Sequence, residues 1–366
     1  MPSTLRIGFV GAGWRLGPYL TVLRALPEEF EPVGAVSRTA ATAERFQTQH
    51  GVPATTDLDA FLASGPYDFV LLSVPWPRIL PLAGRLLDAG IPVLSETPIA
   101  ERTEHVAAFL ERYGSEAPLQ SAEQYRFQPM HAARIAAARG GLLGEPVSVT
   151  ASFAHDYHAM SVARAALSIG FEPVRVNATA LGDRGARPLG RDGWAGDLET
   201  QPFHRAVAQL VWPERDVSVV YDFTGEQYFS PIRSRRMAVR GTLGELADDR
   251  LTRMRAPGET TTLPLVRTDT GVDGDLGGHD LRDVRLGDEV LWRNAFDGAR
   301  LSDDELAVAE VLRRMRDFVT DGTAFYGIAD AAEDQYLGEL VHRSATEGRP
   351  LTSTPQAWSA LPSHLA

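Results

Sequence analysis

The chain predicts an α/β protein with two parts. An N-terminal doubly wound parallel sheet is expected over residues 1–122, and an α+β domain with an open, mostly antiparallel sheet over residues 123–366. Three observations predict this. A glycine turn joins a short apolar run to a helix-compatible run within residues 5–26. Strand and helix patterns then alternate regularly to about residue 122. Beyond it the alternation stops and strands dominate. At 366 residues, the chain is long enough for two domains with full cores.

Leu5–Val10 reads as the first strand and Tyr19–Leu26 as its helix. Pro32–Ser37 is the second strand, followed by a helix over Ala40–His50 and a short one over Asp57–Leu62. Phe69–Val74 is continuously apolar, as a strand buried on both faces requires. Ile79–Ala89 is amphipathic and stops at Gly90. Pro92–Leu94 and Leu119–Ala122 are short strands around a helix at Glu104–Tyr113. In the second part, helices are expected at Pro129–Arg139 and Met160–Ser168. Strands are expected at Pro146–Phe153, Val174–Leu181, Asp216–Phe223 and Arg236–Arg240. Asp183–Gly196 and Ala256–Gly278 are rich in Gly, Pro and Asp and read as loops. Asp303–Gly322 and Ile328–Gly348 are long helices, and the second is expected to pack back on the first domain.

Composition excludes several functions. A net charge of −12 argues against general nucleic-acid binding. No apolar run approaches the roughly 20 residues of a membrane span. Arg6, Arg15 and Arg24 are spread through the N-terminus, so no signal peptide is expected. The absence of cysteine rules out disulfides and thiolate chemistry and fits a cytoplasmic protein. All 36 basic residues are arginine, so no lysine can act as acid, base or Schiff-base former.

The glycine turn carries the most chemistry. Gly11 and Gly13 follow Ile7, Phe9 and Val10. Such glycines bring backbone close to a dinucleotide pyrophosphate, and the following helix N-terminus offers unpaired N–H groups. This is the Rossmann arrangement, although the third glycine falls at Gly17 and Leu16 occupies its usual place. Trp14, Arg15 and Leu16 complete the candidate cofactor loop. The second strand ends in Ser37-Arg38-Thr39, where an NAD-selective site usually carries Asp or Glu. A guanidinium beside a hydroxyl suits a 2′-phosphate, so NADP(H) is expected in preference to NAD(H).

Longer motifs extend the argument: Ser95-Glu96-Thr97-Pro98, Glu123-Gln124-Tyr125-Arg126-Phe127-Gln128-Pro129, Gly241–Glu245 and Tyr326–Tyr336. In this order and spacing the chain resembles the glucose–fructose oxidoreductase / inositol dehydrogenase-like enzymes. The resemblance implies hydride transfer between a nicotinamide and a sugar, cyclitol or related small molecule. It also implies a homo-oligomer, dimer or tetramer, formed through the open sheet. Ser73, Val74, Pro75 and Trp76 would lie along the cofactor ribose, Glu96-Thr97-Pro98 beside the nicotinamide, and Gln124 at its carboxamide.

The chain departs from the family where the chemistry lies. The family's Glu-Lys-Pro is Glu96-Thr97-Pro98 here, and Ala154 falls where an aspartate is expected. His158 fits the family's histidine and is the leading acid/base candidate, since imidazole titrates near neutrality. A structural histidine capping the helix start is the competing reading. Tyr125 and Tyr157 are alternative proton donors, Thr97 a hydrogen-bonding one. His155, Tyr157, His158 and Arg126 are the candidate substrate contacts. No metal site is expected. An imine reductase, a non-redox lyase, epimerase or hydrolase, and a redox-inactive dinucleotide-binding protein remain alternatives on the same scaffold.

Overall fold

The computed structural model describes residues 4–190, 193–194, 196–271 and 278–365. The first part alternates as expected. It runs β1 (Leu5–Val10), α1 (Leu16–Ala25), β2 (Phe30–Val36), α2 (Ala40–His50), β3 (Ala54–Thr55), α3 (Leu58–Ala63) and β4 (Phe69–Leu72). It continues with α4 (Ile79–Asp88), β5 (Val93–Ser95), α5 (Glu104–Tyr113) and β6 (Leu119–Ser121). All pairings are parallel, and the strand order is β3-β2-β1-β4-β5-β6. The order reverses between β1 and β4, so a crevice opens at the carboxyl ends of those two strands. Every residue of β4 is buried, as its apolar run requires.

The second part comprises α6 (Pro129–Arg139), β7 (Pro146–Ser152), α7 (Asp156–Leu167), β8 (Arg175–Ala186), β9 (Thr200–Trp212) and β10 (Val217–Thr224). There follow β11 (Arg236–Gly241), β12 (Gly244–Ala247), β13 (Arg250–Ala256), β14 (Glu259–Thr270), β15 (Asp280–Leu286) and β16 (Glu289–Arg293). The chain ends in α8 (Asp303–Asp321), α9 (Ile328–Glu347) and β17 (Leu351–Thr352). These strands form one sheet, antiparallel except where β7 and β10 run parallel. Tyr221 of β10 reaches α7 through its hydroxyl, so one sheet face packs on that helix. The other face leaves Leu181 and Val220 exposed. A capping box at Ser302 and Glu305 starts α8, and left-handed Gly322 ends it.

Several expectations are corrected. The presumed loops Asp183–Gly196 and Ala256–Gly278 contain strand: β8 continues to Ala186, and β14 fills Glu259–Thr270. Residues 191, 192, 195 and 272–277 of those segments lie outside the described residues. Cross-strand pairing outweighed the turn-forming composition there. α1 starts at Leu16 rather than Tyr19, and β4 stops before Ser73. α7 starts at Asp156 rather than Met160, so His158 lies inside its first turn and does not precede it.

α9 touches the segment between β5 and α5. Glu339 accepts from Thr103, and the Gln335 amide donates to the Ala100 carbonyl. Arg316 of α8 ion-pairs Glu29 at 2.9 Å. α9 is also tied to α7 through the fully buried Arg164, which pairs with Asp334 at 2.9 Å and Asp330 at 3.1 Å. Among the described residues, no helix is long and apolar enough to cross a membrane.

Candidate functional site

The glycine loop occupies the crevice between β1 and β4. Gly11 has φ +108°, and a Cβ built there would lie 1.9 Å from the Ser73 carbonyl oxygen. Only glycine fits. Gly13 faces open space, with no protein atom within 4 Å of such a Cβ. The α1 N-terminus follows immediately. Leu16, expected at the cofactor, instead buries its side chain in the core, while its N–H bonds the Gly13 carbonyl at 3.2 Å. Trp14 and Trp76 rim the crevice and are 69% and 54% exposed. Val74 and Pro75 lead into a turn of 3-10 helix, Trp76–Arg78, that carries Trp76.

Glu96 braces this loop. Its Oε1 accepts from Arg15 Nε at 2.8 Å and from the Tyr19 hydroxyl at 2.8 Å. Burial would lower the Arg15 pKa, but Glu96 and Tyr19 outweigh it and hold the guanidinium charged. Burial, then Glu96, keeps the Tyr19 phenol neutral. The turn after β5 is thereby joined to the glycine loop. At the end of β2, Arg38 is exposed. Ser37 donates to the Thr39 carbonyl, and Thr39 caps α2 by accepting from Thr42 N–H, so both hydroxyls also shape the turn.

The chemical cluster lies where the two parts meet. His158 Nδ1 is 2.5 Å from Glu123 Oε2, and Glu123 is fully buried. The other carboxylate oxygen accepts from Tyr125 N–H at 2.9 Å. A proton on Nδ1 satisfies the carboxylate, leaving Nε2 for a ligand. The rings of Tyr125, Tyr157 and His155 surround His158 with centroids 4.3, 4.5 and 4.9 Å away. Tyr157 neighbours Thr97, linking the cluster to the turn after β5. Tyr125 also neighbours Tyr228, whose hydroxyl lies 2.5 Å from His155 Nδ1 and accepts from His155 N–H.

Burial sets the protonation of these groups. It pushes the Tyr125 phenol up to about 12, and it also raises Tyr157 and Tyr228. All three are neutral donors near pH 7. Burial, reinforced by neighbouring His158, pushes His155 down to about 4, so this imidazole is uncharged.

The structure brings Thr97, Tyr125, His155, Tyr157 and His158 together. It removes Arg126 from the substrate list. That guanidinium lies over the Phe127 and Tyr326 rings and donates to the Phe325 carbonyl, within the joint. Ala154 is buried in the core, and Asp156 turns away toward α9. Sequence reasoning missed Glu123 and Tyr228. Glu123 had a signal, as a carboxylate directly after a buried strand. Tyr228 had none, being 73 residues from its partner His155. Among the described residues, no group of His, Cys, Asp and Glu could hold a metal.

A dinucleotide fits the residues present. Gly13 leaves room in front of the α1 N-terminus. Gln124 Oε1 is buried without a hydrogen-bond partner, as an amide acceptor awaiting a carboxamide would be. Residues 5–116 match the profile of the oxidoreductase family with an NAD-binding Rossmann fold. A dTDP-3,4-didehydro-2,6-dideoxy-alpha-D-glucose 3-reductase of Streptomyces violaceoruber is 32% identical over 191 residues, 49% of this chain and 55% of that protein. The chain thus spans about half the length of this curated relative. A myo-inositol dehydrogenase of Corynebacterium glutamicum shares the fold with a TM-score of 0.64 at 21% identity, covering 96% of this chain and all of the other (100%). An oxidoreductase of Agrobacterium radiobacter, solved with NAD+, L-tartaric acid and magnesium, superposes with a TM-score of 0.66 at 16% identity over 95% and 98% of the two chains. Over residues 5–116 the chain is thus similar to the oxidoreductase family with an NAD-binding Rossmann fold, and along nearly its whole length it shares the fold of these solved structures.

Proposed function

We propose that the chain is an NADP(H)-preferring oxidoreductase acting on a carbonyl or hydroxyl carbon of a sugar- or cyclitol-like substrate. The Glu123–His158 pair carries this reading. A buried carboxylate orients an imidazole whose Nε2 is left to meet a substrate oxygen. The bound nicotinamide would supply or take the hydride. In the oxidising direction His158 Nε2 takes the hydroxyl proton, and the Glu123 carboxylate stabilises the imidazolium. In reduction the same proton returns to the oxygen. Thr97, Tyr125 and Tyr157 are neutral hydroxyls that orient the substrate, and Thr97 stands where the resembled family has a lysine. Gly11, Gly13, the α1 N-terminus and the Ser73–Trp76 loop would hold the cofactor, with Gln124 at the carboxamide. Arg38, exposed and without an ion-pair partner among the described residues, supports the 2′-phosphate reading. Exposed Leu181 and Val220 on the outer sheet face support assembly of a homo-oligomer through that face.

The test begins with NADPH and NADH titrations followed by tryptophan quenching. A panel of ketoses, inosose-like ketones and cyclic imines is then assayed for NADPH loss. Arg38→Asp is expected to weaken NADPH roughly 10–100-fold, the worth of one or two charged hydrogen bonds, and NADH far less. His158→Ala is expected to lower turnover roughly 10²–10⁴-fold. Equal losses for both cofactors would remove the 2′-phosphate role, and inertness across the panel would point to the non-redox alternatives.

A further inference from the structure

The segment carrying the histidines is held from outside the site. Asp156 lies between His155 and His158, at the first position of α7, with φ +37°. Side-chain-bearing residues seldom adopt this left-handed backbone. It produces a sharp passage from extended His155 (φ −78°, ψ 150°) into the helix, and it sets the His155 and His158 rings 4.9 Å apart. Two groups on different elements hold Asp156 there. The Tyr221 hydroxyl on β10 accepts its N–H at 3.1 Å, and His342 Nε2 on α9 meets its Oδ1 at 3.1 Å. α9 also approaches closely at Gly338, where an added Cβ would come within 3.0 Å of the Asp156 Cβ. His342 is itself mostly exposed, 61% accessible along its side chain, and it meets the histidine segment through the Asp156 carboxylate.

We propose that His342 is a positioning residue for His158: through Asp156 it clamps the first turn of α7 in the strained backbone that aims the imidazole at the cleft. This rests on the functional reading above for its catalytic consequence, but not for its structural one. α7 is thereby referenced to α9, which also touches the segment between β5 and α5. The clamp sets His158 relative to the nicotinamide-binding half of the molecule. The bond to the Asp156 carboxylate raises the His342 pKa, and a protonated imidazole makes the stronger clamp.

The experiment uses the full chain labelled with 15N, in three forms: wild type, His342→Ala and His342→Gln. Long-range 1H–15N spectra report the ring nitrogens of His155 and His158, assigned from single replacements of each. His342→Ala is expected to displace both sets of ring signals, while the exposed position leaves the unfolding midpoint near wild type. His342→Gln keeps a side-chain N–H for Asp156 and is expected to restore the signals. On a substrate that the wild type turns over, His342→Ala is expected to lower kcat on the order of tenfold, with NADPH affinity unchanged. Ring signals identical in His342→Ala and wild type would overturn the proposal whatever the turnover. Failure of His342→Gln to restore them would overturn it as well. A wild type inert on every substrate, with signals that do move, would refute the oxidoreductase reading alone.

Discussion

Replacing Gly11 and Gly13 separately by alanine distinguishes a glycine the fold needs from one a ligand needs. At Gly11 the new Cβ would sit 1.9 Å from the Ser73 carbonyl oxygen. An ordinary non-bonded contact is about 3.5 Å, so the two loops must part by roughly 1.5 Å. That movement breaks the Ser73 N–H bond to the Val10 carbonyl (2.8 Å) or the Gly11 N–H bond to the Val36 carbonyl (2.9 Å). Each broken buried bond costs about 1–3 kcal/mol. Holding alanine at φ +108° adds about 1–2 kcal/mol. Gly11→Ala is therefore expected to destabilise the protein by about 2–5 kcal/mol, a large share of a typical total of about 5–15. Gly13→Ala meets no protein atom within 4 Å and should leave stability within about 0.5 kcal/mol of wild type. It should nevertheless weaken NADPH, because its methyl would enter the space read as the pyrophosphate site. Urea unfolding gives the first quantity and fluorescence titration the second. Wild-type stability in Gly11→Ala would refute the steric argument. Wild-type NADPH affinity in Gly13→Ala would refute the placement of the cofactor.

Two further outcomes follow from buried charge. Arg164→Ala strands Asp330 and Asp334 without their cation, and burial already pushes Asp334 up to about 7 despite that cation. The expected loss is about 3–5 kcal/mol by urea unfolding, and a loss below about 1 kcal/mol would show that the pair contributes little. His131 is buried against Phe153, with ring centroids 4.4 Å apart, and burial pushes its pKa down to about 3, with Arg134 adding to the shift. The unfolded chain takes up the proton near pH 6.5. The stability from neutral His131 is therefore whole above pH 6.5 and is lost as pH falls toward 3, at up to about 1.4 kcal/mol per unit. His131→Phe should flatten this slope between pH 6.5 and 5 in thermal or urea unfolding. An unchanged slope would remove His131 as its source.

Much of the first sheet was legible because its signals are local. β1, α5 and β4 announce themselves through apolar runs and glycine stops, and the Gly11 turn through residues adjacent in sequence. The second sheet was read less well. β9, β12, β13, β15, β16 and β17 were missed, and the end of β8 and all of β14 were taken for loops, since their stability comes from neighbouring strands rather than from their own composition. The site divides in the same way. His158, Tyr125 and Thr97 could be picked by residue type and motif position. Their pairing could not. Glu123 meets His158 across 35 residues, Tyr228 meets His155 across 73, and His342 meets Asp156 across 186. By itself the sequence determined that this chain builds a glycine-turn dinucleotide fold with no lysine and with an imidazole near the joint. Only the tertiary structure decided which carboxylate that imidazole faces, because hydrogen-bond partners are chosen by proximity in space and proximity is set by packing.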